Sequence, residues 1–361
     1  MHRRQFLERT STTMLATATL PFFTSSAPTP EVIKPPRLRP GNTIGLVTPA
    51  TYLTDEQLRE AIKCMAALGF TVRYTDNMLV RKGYLGGTDQ QRADDINRFF
   101  ADDSIDGIIC GRGGYGSQRI LPLLDYEVIR QHPKVFRGYS DITAMLYGIY
   151  GQTGLVCFHG PMGTSDYNDF TTQYFRSLLI EPEAPLTYQN PAPEPVVVPV
   201  AEEDAPVPED APEEPRSVPL TTLVPGAAEG VLIGGNLSLV TSLCGTAYDL
   251  DMRDRIVFLE DVGEEPYRLD RMFTQLLQDP DKLPAAAGIV LGVFNDCQAK
   301  NPDTSLSLTQ VLYDRLGGLG IPVLYGLSFG HIEQNATLPF GIRARLDADQ
   351  KTLTLLEQGV R

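Results

Sequence analysis

The sequence predicts a two-domain α/β protein, a doubly wound parallel-sheet unit followed by a second α/β unit that ends in a β-hairpin. Three observations carry this. From Asn42 onward, short apolar runs alternate with amphipathic helical segments, the pattern of a parallel sheet with helices on both faces. The alternation stops over residues 181–219 and then resumes. The 361 residues are also enough for two hydrophobic cores.

In the first unit, 43–47 reads as a buried strand, 55–68 as an amphipathic helix, 70–74 as a strand and 89–100 as a helix. A strand at 107–110 and a short helix at 117–124 follow. Such short apolar strands suit burial on both faces. The run Val135-Phe136 then leads into Gly138-Tyr139-Ser140-Asp141-Ile142-Thr143, and a helix-like run, 142–150, leads out. Residues 181–219 are rich in Pro, Glu, Asp, Ala and Val, with seven acidic residues between Glu202 and Glu214. This composition cannot bury a core and reads as an exposed, extended linker. The domains expected on either side span 38–180 and 225–361. In the second, 255–259 is a strand ending at Glu260-Asp261, and the helix after it carries Leu269, Met272, Phe273, Leu276 and Leu277 on one face. A strand at 289–293, a helix at 306–316 and a strand at 322–327 come next, then Ser328-Phe329-Gly330-His331. The tail, 342–346 and 352–355, reads as a hairpin turning near Asp349.

Residues 1–27 read as an address rather than fold. Arg3-Arg4-Gln5-Phe6-Leu7 is a twin-arginine pattern, residues 12–22 form a weakly apolar stretch, and Ser25-Ser26-Ala27 supplies small residues for cleavage. The expected location is the bacterial periplasm. No segment has the roughly 18 consecutive apolar residues of a membrane span, so no stable membrane insertion is expected. The formal charge is −14. Residues 1–27 hold three Arg against one Glu, which leaves the rest of the chain near about −16. Such a field repels phosphate backbones, and nucleic acid is not an expected partner. The five cysteines, Cys64, Cys110, Cys157, Cys244 and Cys297, are scattered with no C-x-x-C pair, and read as free thiols.

Open α/β sheets carry functional groups at the carboxyl ends of their strands. Ser140, Glu260 and His331 all fall there. A serine on a sharp strand-to-helix turn has the geometry of a nucleophile elbow, although Ile142 stands where G-x-S-x-G has its last glycine. A serine before a helix is also a favoured N-cap, and capping serines outnumber nucleophiles. A serine nucleophile needs a base, and the base needs a group to hold its tautomer. Of the four histidines, His2 lies in the leader and His132 in a polar loop. His159 and His331 both remain as bases on pattern, with His331 slightly preferred. Gly111-Arg112-Gly113-Gly114-Tyr115-Gly116 matches G-x-G-x-x-G, but it follows the third strand rather than the first, with no acidic residue about 20 positions on, as a dinucleotide site requires. Its N–H groups could instead face an oxyanion. With no H-E-x-x-H and no tight His/Cys cluster, neither metal nor cofactor is expected.

These segments together resemble the LD-carboxypeptidase family of serine peptidases, which includes the microcin C self-immunity proteins. The resemblance rests on the glycine loop, the Gly138–Thr143 segment, Phe158-His159-Gly160-Pro161-Met162, Gly234-Gly235-Asn236-Leu237-Ser238, the 258–267 segment around Glu260, and Gly330-His331 with Leu338-Pro339. It implies a triad of Ser140 as nucleophile, Glu260 as carboxylate and His331 as base. Oxyanion donors would be the N–H groups of Asp141 and of Gly113 or Gly114. Arg112 and Asn236 are the implied substrate contacts, and His159 is left a structural role or a supporting one behind the catalytic residues. The implied site lies between the domains, commonly in a homodimer. The implied reaction removes D-alanine from a murein tetrapeptide, cutting the bond to its L-centred diamino acid. Alternatives are a peptidyl-nucleotide hydrolase of the microcin C type and a noncatalytic periplasmic murein-peptide binder.

Overall fold

The computed structural model describes residues 31–191 and 218–361. The leader, 1–27, and most of the acidic segment lie outside the described residues. Fourteen strands and nine helices are seen among those residues. The first five strands are β1 (Thr43–Val47), β2 (Thr71–Arg73), β3 (Gly107–Cys110), β4 (Val135–Gly138) and β5 (Cys157–His159). Between and after them run the helices α1 (Asp55–Ala67), α2 (Asp89–Ala101), α3 (Ser117–Ile120), α4 (Tyr126–Gln131), α5 (Thr143–Thr153) and α6 (Asp169–Leu179). The second half holds β6 (Leu186–Thr187), β7 (Thr221–Val224), β8 (Ala227–Asn236), α7 (Leu237–Leu243), β9 (Arg255–Val262), α8 (Pro266–Gln278) and β10 (Gly288–Asn295). It closes with α9 (Leu308–Leu316), β11 (Val323–Gly330), β12 (Leu338–Phe340) and the hairpin β13 (Arg343–Asp347) and β14 (Thr352–Leu355).

Local chemistry explains where the helices start. Thr54 and Gln57 close a capping box on α1, Thr88 and Gln91 on α2, and Ser307 and Gln310 on α9, each satisfying two backbone N–H groups that the first turn leaves unpaired. Pro266 begins α8, where its missing N–H costs nothing. Helix α1 turns Leu58, Ala61 and Met65 inward, a stripe at helical spacing. Helix α5 is buried nearly all round, from Thr143 to Tyr150. It lies between the first sheet and the second half, touching β5 on one side and α7 and β8 on the other.

The first sheet has the order β12-β5-β4-β3-β1-β2, parallel except for β12. The second has the order β6-β14-β13-β8-β9-β10-β11-β7, with a parallel centre, β8 to β11, flanked by antiparallel strands. Two sequence expectations need correction. The halves are not separate, because Leu338, Pro339 and Phe340 leave the second half to pair with β5. Proline cannot donate to a ladder and is tolerated on such an edge. Nor does the segment after residue 180 begin as exposed linker. Leu186 and Thr187 pair with β14, Tyr188 is buried against Tyr174 with ring centroids 5.0 Å apart, and its hydroxyl donates to the Thr337 carbonyl at 2.7 Å. Burying one aromatic ring outweighs the polar composition around it.

Candidate active site

Ser140 lies two residues past the end of β4 and has a φ of +62°. A non-glycine residue in this region carries strain of about 1–3 kcal/mol and persists only where its surroundings impose it. Here Ile142 packs against Gly138 so closely that a Cβ on the glycine would lie 2.8 Å from the isoleucine side chain. Asp141, itself buried, accepts from the Ser117 N–H at 2.8 Å and ties the turn to the start of α3. Ser140 makes no side-chain capping bond to the helical turn it opens or to α5. Its hydroxyl is therefore not the helix cap that pattern alone allowed.

The glycine loop lies against this turn. A Cβ on Gly113 would stand 3.0 Å from Ser140 Cβ, 3.2 Å from its Oγ and 3.5 Å from the Asp141 nitrogen. Gly114 has a φ of +118°, and a Cβ there would run into Thr51. The Gly113 carbonyl accepts from the Thr51 N–H. Buried Arg92 of α2 donates to the Gly116 carbonyl at 2.9 Å and pairs with Asp89 at 2.5 Å. Sequence reading missed Arg92. The available signal was a charge interrupting the apolar stripe of Ala93, Ile96, Phe99 and Phe100.

Glu260 lies on β9, wholly buried, and His331 follows the last residue of β11. Gly330 makes the approach possible. It has a φ of +110°, and a Cβ there would lie 2.8 Å from Glu260 Oε2. His331 Nδ1 sits 2.7 Å from Glu260 Oε2. An ionised carboxylate only accepts, so Nδ1–H donates and Nε2 is left free for another proton. Burial pushes the Glu260 pKa up, but the two imidazoles beside it, His331 through its charge and hydrogen bond and His159 as a second contributor, together outweigh burial and hold it at about 2. Burial works to lower the His331 pKa, yet Glu260 wins and raises it. His159 Nε2, 3.8 Å from Glu260 Oε1, is beyond hydrogen-bond reach and contributes through its field. The Tyr139 ring meets the His331 ring edge-on, centroids 4.9 Å apart.

Ser140, Tyr139, His331, Arg112, Gly113 and Gly114 line one cleft of about 700 Å³. Glu56, Gln57 and Glu60 of α1 complete it with Thr164, none of them singled out from the sequence, and with Met162, which ends one of the family motifs. Glu260 stands behind His331. Asn236 is placed elsewhere. It is buried, donates its side-chain amide to Asp261 at 2.9 Å and caps α7 through Leu239. Its N–H donates to Thr143 Oγ1 at 3.0 Å, so it joins the two halves and is not among the residues that line the cleft. Burial, then the charge of Glu260, pushes the pKa of Asp261 up to about 6 despite donors from Val262, Ser238 and Asn236.

A hydroxyl and an imidazole with a free Nε2 on one cleft, the imidazole backed by a buried carboxylate, are the parts of nucleophilic acyl transfer. Two family models match, the LD-carboxypeptidase N-terminal domain over residues 44–160 and the LD-carboxypeptidase C-terminal domain over 229–346. A probable murein peptide carboxypeptidase of Bacillus subtilis is 38% identical, over 91% of this chain and 95% of its own. The solved muramoyltetrapeptide carboxypeptidase of Oxalobacter formigenes superposes with a TM-score of 0.70 at 29% identity, covering 87% of this chain and 98% of that one. The microcin C7 self-immunity protein, solved with aspartyl sulfamoyl adenosine, gives 0.77 at 28% identity, covering 91% of this chain and 100% of that one. The chain belongs to the LD-carboxypeptidase family.

Proposed function

We propose that the protein is a serine LD-carboxypeptidase that cuts murein tetrapeptides between the L-centred diamino acid and the terminal D-alanine. The observation that carries this is the 2.7 Å bond from His331 to buried Glu260, made on the ring edge that leaves Nε2 free, with His331 on the cleft that Ser140 also lines. In this reading His331 Nε2 takes the Ser140 hydroxyl proton as Oγ attacks the carbonyl carbon. The N–H groups of Asp141 and of the Gly113-Gly114 turn receive the oxyanion. The intermediate collapses, His331 gives its proton to the departing D-alanine nitrogen, and the acyl group stays on Ser140. Water, deprotonated by His331, then releases the tripeptide. Glu260 remains ionised throughout and balances the imidazolium. Arg112 suits the D-alanine carboxylate, since a guanidinium grips one with two hydrogen bonds.

Release of D-alanine from murein tetrapeptide, measured by mass spectrometry, tests the reading. Wild type releases it and Ser140→Ala does not; no release by wild type would reject the proposal. The likeness to the microcin C7 self-immunity protein favours one rival, hydrolysis of a peptidyl-nucleotide by the same residues. A higher kcat/KM on an aminoacyl sulfamoyl adenosine than on tetrapeptide would favour that rival.

The twin-arginine pattern supports a periplasmic workplace, where the enzyme meets murein directly. Fractionation of cells carrying the full chain should find it in the periplasm, and finding it in the cytoplasm after Arg3 and Arg4 are intact would reject this. The family resemblance supports a homodimer. Light scattering should give the mass of two chains, against one for a monomer.

A further inference from the structure

Glu260 is only half accounted for. An ionised carboxylate with no solvent contact needs donors on both oxygens. His331 serves Oε2, but Oε1 is buried with no hydrogen-bond partner. Beside it lies a second orphan. His159, the last residue of β5, is wholly buried, and neither of its ring nitrogens has a partner. Its Nε2 is 3.8 Å from Glu260 Oε1. Aromatic rings pack around the rest of it. Phe258, Tyr139 and Phe329 meet the ring edge-on, with centroids 5.3, 6.0 and 6.2 Å away. Other ionisable groups of these strands have partners of their own, with Arg137 Nε alone left without one. His331 is on Oε2, Asp261 accepts from Asn236 and Ser238, and Arg137 of β4 donates to Tyr167 and Thr337.

An imidazole with one ring proton can place it on either nitrogen. On Nδ1 it would face no acceptor and leave Glu260 Oε1 bare as well. On Nε2 it points at the one unsatisfied acceptor at hand, and a movement of about 1 Å closes the gap to a hydrogen bond. One choice of tautomer therefore removes two of the three orphans.

We infer that His159 is a positioning residue for the catalytic pair, carrying its proton on Nε2 and donating it to Glu260 Oε1, so that the carboxylate is held between two imidazoles. The inference rests on the reading of Glu260 as the partner of the base His331. With both oxygens engaged, Glu260 cannot rotate about its terminal torsion. Its Oε2 stays in line with His331 Nδ1, and the carboxylate resists taking the proton from the imidazolium. His159 touches no substrate. It lies opposite Gly138 in the β4–β5 register, two residues before Ser140, and so spans the nucleophile strand and the carboxylate.

Two variants and one spectrum test this. His159→Phe keeps the ring shape and loses the donor, whereas His159→Gln keeps an amide donor at similar reach. For tetrapeptide hydrolysis, His159→Phe should lower kcat roughly tenfold to a hundredfold with KM changed less than about twofold, and His159→Gln should recover most of it. Equal losses in both variants, or a wild-type kcat in His159→Phe, would overturn the inference. Long-range proton–nitrogen NMR of histidine-labelled wild type should show the His159 proton on Nε2, and a bare Nε2 would overturn it too. The spectrum decides even where His159→Phe fails to fold. It also needs no substrate, so an enzyme that releases no D-alanine would defeat the proposed function and leave this test standing.

Discussion

Ser140 adopts a left-handed backbone, with φ of +62°, that a serine enters only at a cost. Glycine adopts it freely. Both Ser140→Gly and Ser140→Ala should therefore abolish turnover, but the glycine variant should be the more stable by about 1 kcal/mol, read as a higher Tm. Equal Tm values would mean that the turn imposes no strain. His331 makes a second claim. Its pKa is raised, and it must be deprotonated to act as base. The acidic limb of kcat/KM should therefore titrate above the ordinary histidine value of about 6.5. The stability sign follows from the same shift. The pair contributes stability below the unfolded histidine pKa, and this is lost as pH rises through the raised folded value. On the acid side it is lost only as pH falls toward the Glu260 value of about 2. An acidic limb at or below 6.5 would contradict the His331–Glu260 pairing. All three candidate triad residues end or nearly end short apolar strands, which brought them forward, but the pattern left His159 open beside His331 and a helix cap open for Ser140, and only the family motifs chose among these. Asn236 was misplaced because a motif does not say whether an amide faces a cleft or a neighbouring aspartate.

The elements meet through residues that tolerate little change. Gly330 brings β11 onto Glu260, so Gly330→Ala must either twist away from φ +110° or push the carboxylate aside. It should reduce kcat by more than a hundredfold, with the His331–Glu260 N–H signal lost from the proton NMR spectrum. An alanine variant with wild-type kcat would show that the close approach is dispensable. Thr143, at the start of α5, accepts the buried Asn236 N–H at 3.0 Å. Thr143→Val should destabilise the protein by about 1–3 kcal/mol in denaturant unfolding, because that N–H is left without a partner. A change within a few tenths would mean that this link between the halves carries no weight. The helix starts expected at residues 55 and 89 from apolar spacing hold, and the capping pairs that fix them, Thr54 with Gln57 and Thr88 with Gln91, were a further signal left unused. The loop's anchor, Arg92, was not, since only the folded packing shows which carbonyls its guanidinium meets.

Across the whole molecule the second half lends a strand, β12, to the first sheet, and this was the least legible part. Leu338-Pro339-Phe340 is too short for a periodic signal and contains a proline. It becomes strand only because β5 offers it an edge far back in the chain. Leu186 and Thr187 are likewise strand only beside β14. The β12–β5 pairing sews the second half to the first sheet, so that Ser140 from the first half and Glu260 and His331 from the second keep a fixed relation. That relation is the central claim, and a covalent intermediate tests it most directly. Enzyme quenched in acid during tetrapeptide turnover should carry one tripeptide acyl group, mapped by mass spectrometry to the peptide holding Ser140 and absent from Ser140→Ala. D-alanine release by Ser140→Ala at the wild-type rate, with no adduct on the wild-type serine, would contradict the account.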